Sequence, residues 1–225
     1  MNILIVYAHP NPRSFNAAMK DLAVDVLTKR GHDVQVSDLY AMNFDPVGGP
    51  RDFTGVEDPS CFRYQREQVR AHLSGGFVLQ LQQEMDKLLW ADFVLFQFPL
   101  WWFSLPAILK GWVDRVFAMG FAYSDTARFE TGVFRGKRAM LSITTGGLPS
   151  RYDADGQYGE FEAVVRHVQF GMFHFVGMDV LPPFVAFGAA RIQTEQREAY
   201  LATFRERLLQ LDTTAAVFEH PKLVV

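Results

Sequence analysis

The chain has 225 residues, 49% of them apolar and 21% charged, an ordinary globular balance that excludes a disordered or fibrous polymer. Its 22 basic and 25 acidic side chains leave a formal charge of −3, so there is no cationic excess to neutralise nucleic acid phosphates. One cysteine, Cys61, rules out an internal disulfide and predicts a reducing, cytoplasmic setting.

Ile3 to Tyr7 is a continuous, partly β-branched apolar run, the pattern of a strand buried on both faces of a parallel sheet. Ser14 reads as a helix N-cap. From Phe15 the apolar residues Ala18, Met19, Leu22, Ala23, Val26 and Leu27 recur at helical spacing, and Gly31 stops the helix. Val34 to Val36 resumes strand character, completing a βαβ unit. The stretch 38–76 is rich in Pro, Gly and Asp and long for a connection, which marks a functional excursion or an added element.

Leu79 to Trp90 reads as a helix, Phe93 to Phe98 as the third strand, and Pro106 to Phe117 as a helix with proline near its first turn. Lys137 to Thr144 is the fourth strand and Glu160 to Phe175 an aromatic-striped helix. Val180 to Phe187 holds the fifth strand, interrupted by Pro182 and Pro183, and Gln193 to Leu211 closes the chain as a helix. Residues 1–211 are expected to form one domain and 212–225 a tail. Five strands alternating with helices predict a doubly wound, flavodoxin-like α/β sheet with helices on both faces. Phe93 to Val113 is of membrane-spanning length, but Gln97, Pro99, Ser104, Pro106 and Lys110 divide it, so no membrane segment is expected.

Open α/β sheets bind ligands beyond the carboxyl ends of their strands. Three loops fall there. His9-Pro-Asn-Pro-Arg-Ser-Phe-Asn16 opens a helix, whose free N–H groups and dipole suit an anion; a plain capped helix start fits it equally. It carries neither the dinucleotide glycine fingerprint nor a P-loop. Phe98-Pro-Leu-Trp-Trp-Phe-Ser-Leu-Pro106 crowds aromatics at a turn, as a wall for a flat ring or as a cluster under the next helix or between subunits. Thr144-Thr-Gly-Gly-Leu-Pro-Ser-Arg-Tyr152 pairs glycines that admit a close ligand with a phenol able to donate to developing charge, and Tyr158 follows. No G-x-S-x-G, H-E-x-x-H or C-x-x-C occurs, and His167 and His174 lack a third ligand nearby, so no metal site is expected.

Residues 37–44, Phe96-Gln-Phe-Pro-Leu100, Trp102-Phe103, Pro106-Ala-Ile-Leu-Lys-Gly-Trp112 and Ser142-Ile-Thr-Thr-Gly-Gly147 resemble the NAD(P)H:quinone oxidoreductases, the DT-diaphorase family, in its short form. The likeness runs from Met1 to about Leu211. It implies a flavodoxin-like homodimer that holds FAD, with FMN the less favoured flavin, and that passes a hydride from NAD(P)H to quinones. By position, the FAD phosphates fall near His9, Ser14, Phe15 and Asn16. The isoalloxazine falls against Pro99, Leu100, Trp101, Trp102 and Phe103 and against Thr144, Thr145, Gly146 and Gly147. Tyr152 falls at the flavin's pyrimidine edge and Arg191 near the adenine. Gly146, Gly147, Tyr152 and Tyr158 form the implied catalytic set. Trp102, Phe103 and Asp125 line the implied substrate pocket, with Tyr123 and Met178 reaching it from the partner subunit.

Three departures from the family pattern stand out. Tyr158 occupies the place of a family histidine and Asp125 that of a second pocket tyrosine. Of a relative's zinc ligands only His174 is matched, since Phe170 replaces one and Cys61 lies far away, so no zinc is expected. Other flavin-based alternatives are an FMN-dependent azoreductase or nitroreductase of this fold, or a flavin-bound regulatory subunit of a membrane transporter. An interaction module whose aromatics are only core is a further possibility.

Overall fold

The computed structural model describes residues 1–221. Six parallel strands form one sheet: β1 (Asn2–Tyr7), β2 (Asp33–Asp38), β3 (Phe93–Pro99), β4 (Arg138–Thr144), β5 (Asp179–Val180) and β6 (Phe184–Ala186). The order is β2-β1-β3-β4-β5, with β6 also paired to β4. The expected fifth strand is therefore present in two pieces. The backbone of Leu181, Pro182 and Pro183 separates them, since proline has no N–H for the ladder. Across that break the register slips by one residue, from Ala139 opposite Val180 to Ser142 opposite Phe184.

Successive strand residues face opposite layers, as the pleat requires. Ile3, Ile5, Phe93 and Leu95 pack on α1 (Phe15–Lys29) and the closing helix. Leu4, Val6, Val94, Phe96, Leu141 and Ile143 pack on the other layer. In chain order the remaining helices are α2 (Tyr64–Ser74), α3 (Leu79–Trp90), α4 (Ala107–Val116), α5 (Phe161–Val168) and α6 (Thr194–Leu209).

Two segments depart from the sequence expectation, and a third, the excursion, takes the form of the added element it allowed. The excursion 38–76 contains α2, whose buried positions are Glu67, Gln68 and Ala71; a helix that buries polar side chains shows no apolar period to read. The helix expected over 160–175 is α-helical only to Val168 and continues as a π-helical turn, Gln169–His174. The expected tail folds back in its described part, where Phe218 makes an antiparallel bridge to Val180 and covers the sheet edge. Among the described residues no helix is long and apolar enough to cross a membrane.

Candidate active site at the strand ends

The order β2-β1-β3 reverses the winding between β1 and β3, and the loops after β1, β3 and β4 meet above that switch point. Two cavities adjoin there, sharing Leu100 and Gly146.

The first, of about 710 Å³, lies at the start of α1 and reaches Thr144, Thr145, Ala189, Ala190 and Arg197. Ser14 caps α1 by accepting from the Ala17 N–H at 3.1 Å. Helix geometry leaves the Phe15 and Asn16 N–H groups without an intrahelical acceptor, and no acidic residue sits in the first turn. The positive helix end is thus open to an anion, with Arg13 and Arg197 beside it. His9 lines the same cavity; burial lowers its pKa, partly offset by the Asn11 carbonyl, so the ring is neutral at pH 7. The Asn11 N–H donates to His9 Nδ1 at 3.0 Å, which leaves the ring proton on Nε2. The Asn16 side chain is engaged inside the protein: it donates to Thr144 Oγ1 at 2.8 Å and accepts from Gln97 at 2.9 Å. Its role is to tie the β1 and β4 loops together, and only its backbone faces a ligand's needs.

The second cavity, of about 450 Å³, is lined by Trp102, Phe103, Gly146, Gly147, Tyr152 and Tyr158, with Arg151, Gln157 and Arg191. Trp101 and Ser104 exchange backbone hydrogen bonds of 3.1 and 3.0 Å, closing a two-residue turn. Trp102 and Phe103 at its tip have φ of 51° and 59°, a left-handed conformation normally filled by Asn-Gly. Trp102 is 95% exposed, and Phe103 packs edge-on to Tyr158 with ring centres 5.2 Å apart. Large apolar rings held in strained backbone and left in solvent suit a binding wall. Ser104 is held in turn by His167 Nε2 at 2.8 Å.

The opposite wall is the β4 loop. Thr145 Oγ1 donates to the Gly147 carbonyl at 2.8 Å, and the Gly188 N–H donates to it at 2.9 Å. A Cβ on Gly146 would meet nothing within 4 Å and would project into open space; one on Gly147 would meet Tyr152 Cε2 at 2.9 Å and Tyr158 Cε2 at 3.1 Å. Tyr152 is buried against Phe161 and Phe187. Burial raises its pKa, Tyr158 adds to this and a hydrogen bond with Thr145 opposes it, so it remains a protonated donor.

The chain matches the family described by a flavodoxin-like fold over residues 1–211. It is 44% identical over 207 residues to the ribosyldihydronicotinamide dehydrogenase [quinone] of Pongo abelii, covering 92% of this chain and 90% of that one. It is 43% identical over 206 residues to NAD(P)H dehydrogenase [quinone] 1 of Cavia porcellus, covering 91% and 75%. A solved Klebsiella pneumoniae protein, described as a candidate quinone reductase, superposes with a TM-score of 0.92 at 41% identity, covering 96% of this chain and 87% of that one. The chain belongs to the quinone oxidoreductase family of enzymes.

Within this family member, the residues expected around the flavin divide between the two adjoining cavities: His9, Ser14, Phe15, Asn16, Pro99, Trp101, Thr144 and Thr145 line the first, Trp102, Phe103, Gly147 and Tyr152 the second, and Leu100 and Gly146 both. Arg191 lines the ring-sized cavity, and Arg197 stands in the cavity where an arginine was expected. Met178 is fully buried in the core of its own subunit, so its expected reach into a partner's pocket is corrected: no face of it is open to a second chain. Tyr123 lines a separate groove of about 780 Å³ between α2, α4 and the π turn, and accepts from Gln65 at 3.0 Å. Asp125 is exposed and lines none of these cavities. His174 stacks on Phe170 and on His220, and among the described residues no three His, Cys, Asp or Glu side chains are grouped to hold a metal.

Sequence reasoning missed Arg197, Ala189, Ala190, Arg151 and Gln157. Arg197 looks like any solvent-face charge of a closing helix, and nothing local reveals it. Arg151 was visible as a cation between two glycines and two tyrosines.

Proposed function

We propose that this chain is an FAD-dependent NAD(P)H:quinone oxidoreductase working by a two-step exchange, with dihydronicotinamide and quinone taking turns in one pocket. The observation that carries this reading is the continuity of an anion-accepting helix start, a glycine cradle and an exposed aromatic turn along one trough. The trough fits a flavin: Gly146 borders both cavities and leaves the space that a Cβ would take. FAD is favoured over FMN because the first cavity extends past the helix start to Ala189, Ala190 and Arg197, room for a second phosphate and an adenosine.

Bound flavin supplies the hydride relay that amino acid side chains lack. The protein's own residues hold and orient. The Phe15 and Asn16 N–H groups, His9 and Arg13 serve the phosphates. Trp102 and Phe103 wall the substrate side, and stacking there sets the near-attack distance. Tyr152 donates a hydrogen bond to the charge that reduction creates. One shared pocket makes the two substrates compete. A homodimer completes the reading, because a second copy would cover Trp102, which otherwise stands bare. The lone cysteine supports a cytoplasmic location.

Purified protein should be yellow, release FAD on denaturation, bleach with NADPH under nitrogen and recolour on adding a quinone. Released FMN would move the reading to an azoreductase or nitroreductase, and a protein that binds neither flavin would end it. Tyr152→Phe should slow flavin reduction roughly tenfold to a hundredfold, the worth of about 1.5–3 kcal/mol for a hydrogen bond to charge. Its flavin affinity should change little; unaltered stopped-flow reduction would remove Tyr152 from the chemistry.

A further inference from the structure

The ring-sized cavity has cations but no carboxylate among its lining residues, and one of those cations, exposed to solvent at the rim, is tied to the wall by its neighbours. Arg151 sits with its guanidinium carbon 5.6 Å from the centre of the Tyr158 ring. Its Nη1 also donates to Gln157 Oε1. The backbone couples the same two residues, since the Tyr158 N–H donates to the Arg151 carbonyl at 2.8 Å. Gly156 makes this possible: a Cβ there would meet the Arg151 carbonyl carbon at 2.6 Å, so the loop closes tightly only with glycine. Tyr158 in turn lies edge-on to Tyr152, ring centres 5.2 Å apart. Guanidinium, amide and two phenols therefore form one assembled side of the pocket.

Resting on the flavin reading above, we propose that Arg151 is the charge-compensating residue of this pocket, holding the negative charge that hydride transfer leaves on the flavin ring. The transfer balances without another proton. The C4–H bond of the dihydronicotinamide breaks, its electron pair and hydrogen form the new N–H bond at flavin N5, the nicotinamide leaves as a cation, and the ring gains one negative charge. A neutral phenol such as Tyr152 donates one hydrogen bond to that charge but cannot neutralise it. A guanidinium stays protonated across the whole working range and presents a rigid fork of donors. The compensation is therefore permanent and does not depend on pH, as an ionisable histidine's would.

The test is the reduction potential of the flavin in the holoprotein, measured by dye equilibration between pH 5.5 and 8.5 for the native protein, Arg151→Gln and Arg151→Lys. The native potential should fall by about 30 mV per pH unit, one proton per two electrons, across this range. Arg151→Gln should weaken binding of reduced relative to oxidised flavin about tenfold at pH 8, read as a potential about 30 mV lower. Its slope should steepen at the acid end, where the ring takes up a second proton. Arg151→Lys should recover most of the difference. Equal potentials and slopes in native and Arg151→Gln proteins would overturn the proposal. So would a native slope of two protons per two electrons down from pH 8, which requires no variant to fold. A protein that binds no flavin would fail at the earlier reading, a result distinct from an unshifted potential.

Discussion

The excursion between β2 and α3 and the rim above the strand ends are both long, aromatic and rich in Pro and Gly, yet they use those residues in opposite ways. In the excursion the buried polar side chains Asp52, Glu67 and Gln68 all find partners. Asp52 is 1% exposed and accepts from Arg115 at 2.7 and 3.0 Å and from the Tyr64 hydroxyl at 2.5 Å. Arg115 also donates to the Asp45 carbonyl. Burial, then the Asp52 acceptor, drives the Tyr64 pKa far up, so that hydroxyl is a fixed donor. At the rim, rings stand in solvent, helix N–H groups lack acceptors and two aromatic residues hold a left-handed turn. Satisfied groups make a strut; unsatisfied ones make a binding surface.

The largest expected effect breaks the strut. Arg115→Met leaves Asp52 buried without its cation and should cost about 3–5 kcal/mol, read as a lower urea midpoint. A loss under about 1 kcal/mol would mean the pair does not hold the excursion in place. The next acts on the rim alone. Gly146→Ala should leave the urea midpoint of the flavin-free protein unchanged, because the new Cβ meets nothing. It should weaken flavin binding tenfold or more, about 1.4 kcal/mol, in a fluorescence titration. Undiminished affinity would show that the ring does not lie against this glycine.

Replacing Trp102 and Phe103 with Asn and Gly gives the turn the residues its backbone prefers. Stability should rise by about 1 kcal/mol while quinone turnover falls, separating strain from function. A lower midpoint would show that the aromatic contacts outweigh the backbone strain. The smallest effect belongs to neither region and serves as a control. His174 and His220 stack with ring centres 3.8 Å apart and planes 6° apart, anchoring the returning chain. Burial, and next the charge of the other histidine, lowers the pKa of His174; burial, and next Arg135, lowers that of His220; Asp179 and Glu130 oppose both shifts. Depressed folded values mean the unfolded chain takes protons first. Stability from this pair is therefore complete above about pH 6.5 and lost as pH falls through the folded values. Between pH 7.5 and 5.5 the urea midpoint should drop, and His220→Gln should flatten that slope. His9, also depressed by burial, contributes with the same sign and remains in the variant.

The strands and most helices were legible because their signal is local. Leu79–Trp90 has the bounds its apolar period predicts, and Ile3 to Tyr7 could be read as doubly buried from its composition alone. Helix α2 was not legible, because it buries Glu67 and Gln68, and besides Arg70 on the same helix their partners lie outside it: the Glu57 N–H for Glu67, the Met119 N–H and Asp114 carbonyl for Gln68. The π turn within the expected 160–175 helix was hidden for the same reason, since Gln169 is drawn to the Leu181 carbonyl across the fold.

By itself, then, the amino-acid order determined the alternation of strands and helices, the two-sided core and the three unusual loops. Those depend on periods of two and 3.6 residues within a single segment. The tertiary structure alone decided that the loops converge at the β1–β3 reversal, that Arg197 joins them, and that Met178 is sealed inside. Each of those depends on which strands become neighbours, and the neighbour of a strand is chosen by the packing of the whole sheet.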